Sequence, residues 1–316
     1  MIELVDTHCH IQFPDYELDP ELAVQDAAKD GVTQLICVGC TLQDSKLAVD
    51  FAKNHKNVYA SIGLHPHESK EYVDNHHALQ QFRDLAKNNL VRPSYSDEVQ
   101  GDDEKQTESY KKYGEVASQS ATQRFAESRN GATSLARGQV HAIRRVLVAI
   151  GETGLDYHYM HSPKLAQEKL LRFQIDLALE HDLPLIFHIR EAYKDFWRIF
   201  DEYKGLRGVV HSFSSNTHDL DEILSRGLYV GLNGIITFTS SQEQLEAAIR
   251  APLDRILLET DAPFLTPVPF RGTICQPKHV RATAEFLSKL RGESLETLAS
   301  ATTHNAQALL NLRGKT

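Results

Sequence analysis

The sequence predicts a closed (β/α)8 TIM barrel, a single domain with a long polar insert between its third and fourth strands, and three observations carry that expectation. Short runs of β-branched and aliphatic residues recur along the chain, each followed by a segment of helical periodicity. The runs are apolar throughout rather than alternating, which suits parallel strands covered on both faces. Imidazole or carboxylate side chains close nearly every run, where barrel enzymes keep their chemistry.

The predicted strands, in order, are 3–5, 34–38, 58–62, 146–150, 183–187, 208–210, 229–232 and 255–258. Helices are predicted over 20–30, 43–55, 76–87, 163–181, 192–203, 217–226, 242–250 and 278–291, with two short ones at 294–301 and 304–310. Pro20 and Pro163 stand where a first helical turn accepts proline, and Gly31, Gly205 and Gly227 follow helices as stops. An open doubly wound sheet shares this alternation. It collects its ligand groups at one switch-point crevice, however, whereas the candidate groups here come from five strands. The chain is predicted to form one barrel domain over 1–316, with the insert at about 91–144. That stretch is polar, carries an acidic run at 97–104 and the cluster Tyr110-Lys111-Lys112-Tyr113, and lacks a strand of its own. It is expected to be peripheral and non-catalytic, with the Tyr-Lys cluster on a solvated face.

Charge and composition narrow the function. A net charge of -9 argues against a broadly basic, nucleic-acid-coating surface, but it leaves room for a small basic groove or for metal ions that supply the positive charge. The N-terminal segment lacks a basic, apolar leader pattern, and no apolar run approaches the roughly 18 residues that cross a bilayer. A cytoplasmic protein with no membrane contact is expected. Four cysteines in 316 residues form no disulfide framework, which fits a reducing compartment. Cys37-Val38-Gly39-Cys40 has no second pair to complete a zinc site and reads as small buried residues ending the second strand. Gly231-Leu232-Asn233-Gly234 is too short for a phosphate loop, so no nucleotide cofactor is expected. His76, His77 and His304 fall in helical patterns and read as surface or capping residues.

Sixteen histidines are an excess that needs a cause. The first strand runs into Asp6-Thr7-His8-Cys9-His10, and residues two apart in an extended segment face the same way, so His8 and His10 present two imidazoles on one side. The third strand ends in Gly63-Leu64-His65-Pro66-His67 and the fourth in Gly151-Glu152-Thr153-Gly154-Leu155-Asp156-Tyr157. The fifth ends in His188-Ile189-Arg190, the sixth in His211-Ser212-Phe213, and the eighth in Glu259-Thr260-Asp261. Caps and turns explain any one of these; together they point to a metal-binding mouth. Four histidines with two carboxylates suggest two divalent ions, one carboxylate bridging them and activating water. The mixed donors suit Zn, Mn, Fe or Ni, and Mg where water completes its shell. Ser212 and Ser214 beside His211 are set aside as nucleophiles, because a metal-ligating His211 cannot also be their base.

These segments, with Leu183-Pro184-Leu185-Ile186-Phe187-His188, Val209-Val210-His211-Ser212-Phe213-Ser214 and Leu257-Leu258-Glu259-Thr260-Asp261-Ala262-Pro263-Phe264-Leu265-Thr266-Pro267, resemble the TatD family of metal-dependent hydrolases, in the family's order and over most of the chain outside the insert. The resemblance implies that His8, His10 and Asp261 hold one ion, that His188 and His211 hold the second, and that Glu152 bridges them. Asp261 would also accept a proton from the attacking water. His65 looks like a substrate or supporting contact. Arg190 and Arg271 are similar in position to groups that grip a phosphate. The activity implied is a magnesium- or manganese-dependent deoxyribonuclease that trims single-stranded DNA from the 3′ end; the alternative is deacylation of D-aminoacyl-tRNA or another ester or amide. Two departures stand out: Thr153 reads as a packing change, and 273–278 replaces a more basic segment of the family pattern.

Overall fold

The structure, a computed structural model, describes residues 2–90 and 146–312; the predicted insert at 91–144 and its Tyr-Lys cluster lie outside them. The chain opens with β1 (Leu4–Cys9), α1 (Pro20–Lys29), β2 (Val32–Val38), α2 (Leu42–Asn54), β3 (Val58–Ile62), α3 (Ser69–Tyr72) and α4 (His76–Asn89). It resumes with β4 (Leu147–Asp156), α5 (Lys164–Glu180), β5 (Leu185–Arg190), α6 (Tyr193–Phe200) and β6 (Gly208–Val210). It ends with α7 (Thr217–Ser225), β7 (Tyr229–Leu232), α8 (Gln242–Arg250), β8 (Ile256–Leu258), α9 (Val280–Arg291) and α10 (Leu295–Leu310). The strands lie in chain order β1 to β8, every neighbouring pair parallel. The ring meets itself where Cys9 bridges Ala262, so the expected (β/α)8 barrel forms.

Local chemistry starts the helices. Asp19 caps α1 by accepting from the Glu21 and Leu22 amides, with Pro20 at the first helical position. Thr41, Asn75, Asn216, Ser241 and Ser294 each cap a following helix in the same way. Pro163 instead sits one residue ahead of α5, in extended conformation.

The apolar runs fill the barrel from within. Val5, Ile36, Tyr59, Val148, Ile186, Val209 and Leu257 pack into one buried cluster, and α10 closes it with Ala306, Leu309 and Leu310. The larger cluster lies between the sheet and its helices and includes fully buried Phe82, Phe187 and Phe196. Each such ring stabilises by about 1.5–3 kcal/mol, which anchors the strands below the mouth. Among the described residues no helix is long and apolar enough to cross a membrane.

Two expectations are corrected. The strands β1, β4 and β5 outlast their apolar runs, because the ladder continues through polar residues: Thr153 pairs Phe187, Gly154 pairs His188 and Asp156 pairs Arg190. The two short C-terminal helices are one, since Thr302 and Thr303 satisfy their hydroxyls without breaking it. Thr302 Oγ1 donates back to the Leu298 carbonyl at 2.9 Å, and Thr303 Oγ1 donates to the Glu3 carbonyl at 2.9 Å.

Candidate metal centre

The polar continuations of β1, β3, β4, β5, β6 and β8 converge on the buried carboxylate of Glu152. Its Oε1 lies 2.8 Å from His188 Nδ1, 3.4 Å from His65 Nε2 and 3.6 Å from His211 Nε2. Its Oε2 lies 3.3 Å from His8 Nε2 and 4.0 Å from His10 Nε2. Asp261 Oδ1 approaches the same two imidazoles, at 3.6 Å from His8 and 3.3 Å from His10. Three groupings have donor spacings that could hold an ion: His8 with His10 and Glu152; His8 with His211 and Asp261; and His65 with Glu152 and His188. All six expected ligands and His65 therefore meet at one point, and His211 stacks on His8 with ring centroids 3.7 Å apart.

Backbone geometry makes the convergence possible. Gly63, at the end of β3, touches the Gly151–Glu152 peptide so closely that any Cβ would collide with it. Gly154 has φ +155 and lies against the His188 carbonyl. Asp6 pins the seam between first and last strands. Its Oδ1 accepts from the Thr260 amide at 2.9 Å and its Oδ2 from the Thr260 hydroxyl at 2.6 Å, while the Asp261 amide donates to the His8 carbonyl at 2.8 Å. Burial pushes the Asp6 carboxyl up to about 8.

The outward nitrogens of three of the imidazoles, His10, His188 and His211, face acceptors. His10 Nδ1 donates to the Val38 carbonyl at 2.9 Å, and His188 Nε2 to Asp156 Oδ2 at 2.9 Å. His211 Nδ1 lies 3.0 Å from Glu259 Oε1. In a neutral imidazole the proton then sits outward, and the inner nitrogen presents a lone pair to carboxylate oxygens that are themselves acceptors. Lone pairs facing lone pairs require a cation between them, either protons or metal. Without metal the protons stay. Against the cost of burial, Glu259 and Glu152 push His211 up to about 10, and carboxylate neighbours also raise His10 and His188. Burial holds His65 down to about 4 and keeps His8 low as well. Glu152, though buried, is held well below the usual carboxylate range by His211, His65 and His188, and Asp261 is lowered by His10. His8 Nδ1 is buried with no hydrogen-bond partner among the described residues. The donor set thus fits divalent ions, with imidazole nitrogens and carboxylate oxygens of the kinds such ions take.

Several participants were not anticipated. Asp156 is wholly buried; besides His188 it accepts from His67 Nε2 at 3.1 Å and from the His158 and Tyr159 amides. It lies two and four residues beyond Gly154 and Glu152 on an extended strand, so the spacing used for His8 and His10 would have found it. Glu259 behind His211 sits two residues before Asp261. Two buried glutamines of α5 brace the same region. Gln167 holds the Asp156 amide and carbonyl, and Gln174 bonds both backbone groups of Leu64 and the Thr153 hydroxyl at 2.7 Å, so Thr153 is a hydrogen-bonding residue. Cys37 is buried as expected, but Cys40 is half-buried with its Sγ 3.7 Å from Glu152 Oε2.

The two expected arginines stand at the mouth, outside the cluster. Arg190 ends β5, its guanidinium 4.7 Å from the Tyr159 ring centroid. Arg271 follows β8, donates to the Thr266 carbonyl at 2.8 Å and lies 3.8 Å over the Phe238 ring. Every other described arginine has a carboxylate partner; among the described residues these two have none. His76, His77 and His304 are exposed, as expected.

Comparison with known proteins agrees with this geometry. Residues 5–311 match the family described as TatD related DNase. The uncharacterized metal-dependent hydrolase YcfH of Escherichia coli K12 is 30% identical over 98% of this chain and 96% of its own length. YabD of Bacillus subtilis, also named an uncharacterized metal-dependent hydrolase, is 29% identical over 98% of this chain and 99% of its own. The crystal structure of YJJV, a TatD homologue from Escherichia coli K12, superposes with a TM-score of 0.75 at 25% identity, covering 98% of both chains. The fold, the donor cluster and these matches agree: the chain belongs to the TatD family of metal-dependent hydrolases.

Proposed function

We propose that the protein is a deoxyribonuclease that removes nucleotides from the 3′ end of single-stranded DNA, using two divalent ions, magnesium or manganese, with Zn, Fe or Ni as the other candidates. The observation that carries the choice of a phosphodiester is the pair of guanidiniums, Arg190 and Arg271, without carboxylate partners beside a buried donor cluster. Guanidinium forks match phosphate oxygens and offset the charge that the acidic chain would otherwise repel.

His8, His10 and Asp261 would hold one ion, His188 and His211 the other, and Glu152 would be shared. His65, with Nε2 3.4 Å from Glu152 Oε1, backs the His188 side or meets substrate there. When bound, such ions supply Lewis acidity and a nucleophile at neutral pH. The protein's own part is positional. Val38, Asp156 and Glu259 fix which imidazole nitrogen faces inward, while Arg190 and Arg271 hold the phosphate. Asp261, whose side chain is 16% exposed against 5% for Glu152, is the central carboxylate open to the mouth and accepts the proton of the attacking water.

The test is incubation of purified protein with 5′- and 3′-labelled oligonucleotides, single- and double-stranded, in Mg, Mn and Zn. Stepwise shortening from the 3′ end of single strands is expected. Intact oligonucleotide in every metal, or release of an amino acid from D-aminoacyl-tRNA instead, would overturn the reading.

A further inference from the structure

We propose that Tyr159 and Phe238 are stacking platforms that hold two bases of one DNA strand across the barrel mouth, with Arg190 and Arg271 beside them. The proposal rests on the phosphodiester reading above and names the groups that grip the strand.

Large aromatic rings are ordinarily buried, yet Tyr159 is 52% exposed and Phe238 is 38% exposed. Each carries on its face one of the two described arginines that lack a carboxylate partner. A guanidinium over one face of an exposed ring presents both halves of nucleotide recognition: a fork for a phosphate and, on the face turned away from it, a flat surface for the adjoining base. Elsewhere in the described chain an arginine over a ring is also tied to an acid, as Arg226 over Trp197 is to Asp201.

Both platforms are continuous with the metal centre. From His188 the rings of His65, His67 and Tyr159 follow one another at centroid distances of 4.6, 4.3 and 5.7 Å. The Tyr159 amide donates to Asp156 Oδ1 at 2.9 Å, and Asp156 Oδ2 accepts from His188, so one carboxylate sets the position of platform and imidazole together. On the other side, Thr237 Oγ1 accepts from the Val268 amide at 2.9 Å, tying the segment of Phe238 to the loop that follows Asp261. In the strand order, Tyr159 follows β4 and Phe238 follows β7, so the platforms stand on different sides of the ring. Both follow the C-terminal ends of their strands, so a DNA strand held at both lies over the mouth where the donor cluster sits. Stacking reads the face that all bases share, so the platforms favour unpaired strands without selecting sequence.

A single-stranded oligonucleotide carrying 2-aminopurine near its 3′ end, titrated with the full chain in chelator so that nothing is cleaved, tests the proposal. Quenching by wild type is expected, with binding weakened at least about fivefold by Tyr159→Ala and by Phe238→Ala. Tyr159→Phe keeps the ring and is expected to bind as wild type. An oligonucleotide with abasic sites at its 3′ end is expected to bind all variants alike. Alanine variants that bind the base-bearing strand as wild type does overturn the platforms, and so does a wild-type dimer that Tyr159→Ala dissociates. Quenching without cleavage in any metal leaves the platforms standing and removes the nuclease; cleavage with alanine variants unaffected does the reverse.

Discussion

Asp156 and His188 form a hydrogen bond of 2.9 Å in which the imidazole donates Nε2–H, and the other nitrogen of the same ring lies 2.8 Å from Glu152. The carboxylate therefore decides which nitrogen of His188 is free for an ion. Replacing Asp156 by Asn offers an amide that can turn either its oxygen or its NH2 to the ring, and so no longer enforces the tautomer. Metal affinity and hydrolysis are expected to fall by about 10–100-fold, as for other groups behind metal-ligating histidines. Titration calorimetry with Mn and initial rates on oligonucleotide check this. Unchanged affinity would remove Asp156 from the centre.

Asp261→Asn separates proton transfer from folding. The residue's amide, not its carboxylate, closes the seam with the His8 carbonyl at 2.8 Å, so the thermal midpoint is expected to stay near wild type. Turnover is expected to drop by about 100- to 10,000-fold, the range for loss of a general base. Metal content measured on the same preparation distinguishes a missing base from a missing ligand.

Gln174→Leu tests the bracing from α5. Gln174 satisfies the Leu64 amide at 2.8 Å, the Leu64 carbonyl at 2.9 Å and the Thr153 hydroxyl. An apolar side chain of similar length leaves these buried groups unpaired, at a cost of about 2–4 kcal/mol. Urea unfolding should show a lower midpoint with an unchanged slope.

The metal-free protein should respond to pH through His211. Its folded value is raised to about 10 from an ordinary 6.5, so the proton is held more tightly in the native state. The stability this contributes is complete below about pH 6.5 and is lost as pH rises through 10. Thermal midpoints of chelated protein are expected to decline across that window, and less so in His211→Phe. Metal uptake at neutral pH must displace that proton, so calorimetry in buffers of different ionisation enthalpy should show proton release. Uptake with no proton exchange would mean that His211 is already neutral.

Composition and periodicity made the barrel legible because parallel strands buried on both faces are apolar along their whole length, and β3, β6 and β7 begin and end where those runs do. The same signal fails at β1, β4 and β5, where the last residues turn polar and yet stay in the ladder. The residues that meet at Glu152 were legible because each closes a different strand. Of the groups behind them, the two-residue spacing could place Asp156 on the face of Glu152. Its partner could not be read, since that depends on the register that sets Asp156 opposite Arg190, two residues past His188. That register is a property of the paired sheet. Gln167 and Gln174 were hidden for a related reason: a polar residue on a buried helix face shows its purpose only once the backbone it serves has been packed against it.

The seam between β1 and β8 has a consequence in time. The Asp6 that grips Thr260 precedes it by 254 residues, and His8 and His10 are likewise separated from Asp261 by most of the barrel. A growing chain therefore carries the imidazoles at the end of β1 long before β8 exists to finish the pocket. A copy that stops short of the eighth strand holds imidazoles without the Asp261 carboxylate and the seam that complete the cluster.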